Sequence, residues 1–76
     1  MNRNVHYQTR QRELILSYLK RHPLCMTAEQ IIKGLADEGN TVSKTTVYRS
    51  LEFFCLDGSV MRFTNDSGES ATYRYA

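Results

Sequence analysis

Between about Thr9 and Arg21 the apolar residues Leu14, Ile15, Tyr18 and Leu19 fall on one stripe of a 3.6-residue repeat, which predicts an amphipathic helix. His22-Pro23 ends it, because the residue before a proline is pushed out of the helical region. Leu24, Cys25 and Met26 then make a short apolar run, expected as one brief strand. Thr27-Ala28-Glu29-Gln30 has the form of a capping box, in which Thr27 accepts from the Gln30 amide and the Gln30 side chain reaches back. The helix it opens carries Ile31, Ile32 and Leu35 and stops near Gly39-Asn40. Ser43 caps a third helix, where Val47, Leu51, Phe54 and Cys55 keep the i, i+4, i+7, i+8 spacing of a buried face and Gly58 stands at the end. Thr45, Tyr48, Arg49 and Glu52 fall on the opposite face of that helix. Val60–Phe63 and Ala71–Tyr75 alternate large and polar groups as strands do, with Asn65-Asp66-Ser67-Gly68 as the turn between them. Three helices followed by a two-stranded hairpin is the element order of a winged helix-turn-helix. The predicted fold class is therefore α+β, mostly α, with residues 1–76 as one domain and residues 1–8 as a flexible amino-terminal arm.

Composition adds limits rather than direction. Seventy-six residues allow one small core, and a hydrophobic share of 41% is ordinary for a globular chain. Two isolated cysteines, no CxxC pair, no signal peptide and no long apolar run fit a cytoplasmic protein with reduced thiols and no membrane segment. Net charge is only +2, yet its distribution is uneven. Arg3, Arg10, Arg12, Lys20 and Arg21 face Glu13 alone in the first 26 residues, whereas Glu29, Asp37 and Glu38 outnumber Lys33 in the next stretch. The sequence holds no G-x-S-x-G elbow, no phosphate-cradling glycine loop and no carboxylate pair converging with a histidine, so catalysis has no support.

The Ser43 helix carries the candidate chemistry. In a helix-turn-helix the second helix of the motif enters the major groove with its first turns against the base edges. Tyr48 offers a ring for a thymine methyl and a hydroxyl for a phosphate or a base acceptor. Arg49 can grip a phosphate or fork onto guanine O6 and N7. Ser43, Lys44 and Thr45 suit phosphates at the positive end of a helix. Alternatively, Tyr48 only covers a neighbouring helix and Arg49 is a solvated charge.

These residues also carry a resemblance. Thr46-Val47-Tyr48-Arg49-Ser50-Leu51 resembles the T-V-Y-R-x-L signature of the ferric uptake regulator family of metal-responsive repressors. Thr9-Arg10-Gln11-Arg12 resembles that family's T-x-Q-R opening of its first long helix, and Thr27-Ala28-Glu29-Gln30-Ile31 its S/T-A-E start of the next. Asp57-Gly58-Ser59-Val60 sits where the family turns into its wing. The resemblance implies that Tyr48 and Arg49 are the principal DNA contacts, with Thr45 beside them and Arg12 near the phosphate backbone. Tyr7 stands where many members have a basic residue for the minor groove, a place that Arg10 or Arg3 would have to fill. In the wing, Arg62 and the Ser67-Gly68 tip either add backbone contacts or form an ordinary surface hairpin.

The same resemblance implies a homodimer on double-stranded DNA with a palindromic operator. It also implies a divalent metal, Fe, Zn or Mn, sensed by a full-length regulator whose carboxy-terminal dimerisation domain is absent from this chain. Cys25 stands where many members have a sensing histidine, and Arg74 where many have an acid. Cys25 is expected as a small buried cysteine, a ligand only with donors outside these residues, and Cys55 as core packing. No cofactor is expected within the chain. Two other functions compete: a winged helix that docks proteins without DNA specificity, and a self-sufficient zinc site.

Overall fold

The computed structural model describes residues 3–64 and 71–76, of which 3–8 by backbone alone. Three helices, α1 (Arg3–Arg21), α2 (Ala28–Asp37) and α3 (Lys44–Asp57), precede two strands, β1 (Val60–Phe63) and β2 (Thr72–Tyr75). The strands form an antiparallel hairpin in the register Val60↔Tyr75, Met61↔Arg74, Arg62↔Tyr73 and Phe63↔Thr72. This is the winged helix that the apolar pattern predicts. The turn expected at Asn65–Gly68 lies outside the described residues.

Local chemistry sets the helix ends. Thr27 Oγ1 accepts from the Gln30 amide at 3.1 Å while Gln30 Oε1 accepts from the Thr27 amide at 2.9 Å, which closes the capping box. Ser43 Oγ accepts from the Thr46 amide at 3.1 Å and starts α3. Gly58 ends α3 in the left-handed region, φ 89°, where a side chain would be strained. Asp57 Oδ1 accepts from the Ser59 amide at 2.8 Å, tightening the turn into β1.

Ile15 and Leu19 of α1, Ile31 and Leu35 of α2 and Val47 and Leu51 of α3 are fully buried, and Phe54, Val60 and Tyr73 close the core from the wing side. Each such aliphatic side chain contributes about 1.5–3 kcal/mol by leaving water. The inner ends of α2 and α3 are thereby fixed against α1, and the outer face of α3 is left to solvent.

Three expectations need correction. Helix α1 starts at Arg3, not Thr9, so residues 3–8 extend the helix instead of forming an arm. They contain neither glycine nor proline, and extending a nucleated helix costs little. Leu24–Met26 is not a strand: only Met26 pairs, in an isolated antiparallel bridge with Tyr73. The bridge is made by Met26 N–H to Tyr73 O at 3.0 Å and Tyr73 N–H to Met26 O at 2.7 Å. Because extended residues alternate sides, turning Met26 into the core turns Cys25 out. Cys25 is exposed, not buried.

Candidate nucleic-acid interface

The outward side of α3, from Lys44 to Leu56, and the inner edge of the wing enclose an open groove of about 580 Å³. Lys44, Thr45, Tyr48, Arg49, Glu52 and Leu56 line it from α3, and Arg62 and Tyr73 from the hairpin. Five of the residues singled out from the sequence, Lys44, Thr45, Tyr48, Arg49 and Arg62, thus share one concave face. They do so because Val47, Ser50, Leu51 and Phe54 hold the opposite side of α3 against the core.

Ser43 caps the helix as expected: its hydroxyl accepts from the Thr46 amide at 3.1 Å and donates to Thr46 Oγ1 at 2.9 Å. Arg12 reaches α3 from the other edge. Its guanidinium carbon lies 4.1 Å from the centre of the Phe53 ring, a cation–π contact. Phe53 is 41% exposed, a cost in apolar surface that this contact offsets in part. Arg10 is exposed and lies about 160° round α1 from Arg12, so the fold does not bring it to this face.

Tyr48 is the most constrained of the outward residues. Its hydroxyl donates to Glu29 Oε2 at 3.4 Å, and Lys44 Nζ lies 3.8 Å from the same oxygen and 6.0 Å from the Tyr48 ring centre. Desolvation first and the Glu29 charge second push the Tyr48 phenol above its ordinary value, so the hydroxyl keeps its proton at neutral pH. Burial likewise raises the Cys55 thiol, the dominant cause there, which leaves Cys55 a packing residue at the floor of the groove. Glu29, Phe53 and Leu56 were not singled out from the sequence as members of this face. Leu56 is 85% exposed, and only its outward phase on α3 gave notice of it.

A metal site does not fit the described residues. Cys25 is exposed, His22 packs against the Tyr18 ring and sits 3.8 Å from Glu38 Oε2, and no three histidine, cysteine or acidic side chains converge among the described residues. None of the described helices is long and apolar enough to cross a membrane.

The sequence profile of the ferric uptake regulator family matches residues 4–76. No curated protein sequence is a match to the chain. Among solved structures, the chain is similar to FurB, a zinc uptake regulator from M. tuberculosis, at 30% identity and a TM-score of 0.85, covering 92% of this chain and 54% of that one. It is similar to the Pseudomonas aeruginosa ferric uptake regulator with manganese at 36% identity and a TM-score of 0.78, covering 86% and 48%. The Vibrio cholerae ferric uptake regulator gives 30% identity and a TM-score of 0.78, covering 86% and 50%. The chain therefore spans about half the length of each of these relatives.

Proposed function

The chain belongs to the ferric uptake regulator family, and from that premise we propose that it is the DNA-binding domain of a metal-responsive transcriptional repressor. Helix α3 enters the major groove of one half-site, with Tyr48 and Arg49 on base edges and Lys44, Thr45, Arg12 and Arg62 toward phosphates. The observation that carries this reading is the shared groove, in which Lys44, Arg49 and Arg62 surround an exposed aromatic ring on one capped helix. A full-length homodimer on a palindromic operator supplies the second half-site. A divalent metal, Fe, Zn or Mn, acts through residues outside 1–76, in keeping with the zinc, iron and manganese named for the similar regulators. The cytoplasm is the compartment where such a protein meets DNA.

The test is an equilibrium titration of the chain against a palindromic duplex, selected from a random pool, and a scrambled duplex at two salt concentrations. Specific binding that weakens steeply with salt is expected, and Arg49→Ala costs roughly 1–3 kcal/mol on the selected site. Tyr48→Ala has a loss of similar size. Equal binding of wild type and both variants contradicts the assignment. A salt-insensitive partner on the Tyr48 and Leu56 face would instead indicate a protein-docking module, the reading that the exposed apolar groups on α3 would serve.

A further inference from the structure

Glu29 is an acid placed among groups suited to a polyanion. It lies in the first turn of α2, but the capping of that helix is completed by Thr27 and Gln30 without it. Its side chain is 56% exposed, so packing does not explain its position. What it touches is the proposed DNA-reading face: Glu29 Oε2 accepts from the Tyr48 hydroxyl at 3.4 Å and stands 3.8 Å from Lys44 Nζ. A carboxylate here repels phosphates and therefore costs general affinity for DNA.

Resting on the DNA-binding reading above, we propose that Glu29 is a specificity-determining residue that weakens the hold of Lys44 on phosphates and turns the Tyr48 proton away from the backbone. With Lys44 neutralised, the domain gives up one sequence-independent contact on an arbitrary duplex. With its proton committed to Glu29, the Tyr48 hydroxyl turns its lone pairs outward as an acceptor. That suits an exocyclic amino group of adenine or cytosine in the major groove and disfavours a phosphate oxygen, which needs a donor. Glu29 thus discriminates by repulsion against the wrong contact, and Arg49 by attraction toward the right one.

The near-isosteric variant Glu29→Gln tests this in titrations against the selected and the scrambled duplex across a salt series, with circular dichroism as the check on folding. The variant should bind the scrambled duplex roughly three- to tenfold more tightly and steepen the slope of log affinity against log salt by up to about 0.9. The ratio of selected to scrambled affinity should fall. In the double variant Glu29→Gln/Lys44→Gln the steeper slope should disappear, because Lys44 is the group released. Unchanged or weaker binding to the scrambled duplex overturns the role of Glu29, as does a gain that persists without Lys44. A wild-type chain that binds neither duplex overturns the DNA-binding reading itself, whereas one that prefers its selected site yet is unmoved by Glu29→Gln overturns only the inference about Glu29.

Discussion

Val47 and Tyr48 are neighbours in the chain, the first fully buried and the second 40% exposed. The 100° step of a helix separates their tasks, and substitution should separate them too. Leu51→Ala, one turn on from Val47, should cost about 2–5 kcal/mol of stability in urea denaturation, since it leaves a cavity where α1, α2 and α3 meet. Tyr48→Ala should stay within about 0.5 kcal/mol of wild type, because it removes a surface side chain and one long hydrogen bond. The opposite result, a neutral Leu51→Ala with an unfolded Tyr48→Ala, would mean that the helix is phased wrongly. Arg21 and Glu38 illustrate a contact that neither residue announces in the sequence. Two N–H groups of Arg21 donate to the two Glu38 oxygens at 2.9 Å, tying the end of α1 to the end of α2. The hydrogen bond from Arg21 is the main reason the Glu38 carboxyl is held below the usual carboxylate range. A lowered folded-state value means that the pair's contribution is present at neutral pH and is lost as pH falls through that lowered value. Glu38→Gln should therefore give a slightly lower Tm than wild type at pH 7, with the two curves converging in acid. The pair is solvent-exposed, so the difference should be small and should shrink in high salt.

At the scale of elements, α3 depends on its two ends. Ser43→Ala removes the cap and should cost about 1 kcal/mol in thermal or chemical unfolding. Gly58→Ala forces a Cβ into the left-handed region and should cost about the same, although nothing crowds the site. Gly34→Ala is predicted to be worse for another reason: the added Cβ falls on the buried Tyr18 ring and hydroxyl where α2 crosses α1, so an overpacking cost of about 1–3 kcal/mol is expected. Caps and C-terminal glycines are chemistry within a few residues, which is why both ends of α2 and α3 could be read from the chain alone. The start of α1 could not, because Arg3–Gln8 has no breaker and no strong cap to mark a boundary. The Met26–Tyr73 bridge was equally hidden, since it joins segments 47 positions apart by backbone groups that every residue carries. Its consequence was the misplaced Cys25. The candidate site follows the same rule. Tyr48 and Arg49 were legible from helical phase and motif, whereas the Arg12–Phe53 stack and the Glu29–Tyr48 contact exist only once three helices have packed.

For the whole molecule, a net charge of +2 says little, but the fold sorts it. Lys44, Arg49 and Arg62 gather in the groove between α3 and the wing, Arg12 flanks it, and the Arg21–Glu38 pair lies at the α1–α2 junction. One domain with so few phosphate contacts should bind DNA weakly, with a salt slope set by those contacts, while a full-length homodimer should roughly double that slope. Comparing log affinity against log salt for the isolated domain and a dimeric form checks this, and equal slopes would argue against two-site engagement. The central claim is that the outer face of α3, together with the inner edge of the wing, is the surface that meets DNA. Its most direct test is a chemical-shift map of the isotopically labelled chain titrated with the selected duplex. The shifts should concentrate on Lys44–Arg49, Glu52, Arg12 and Arg62. Shifts confined to the outer wing face at Met61 and Phe63, or to the hollow around Cys25 and Lys33, would contradict it.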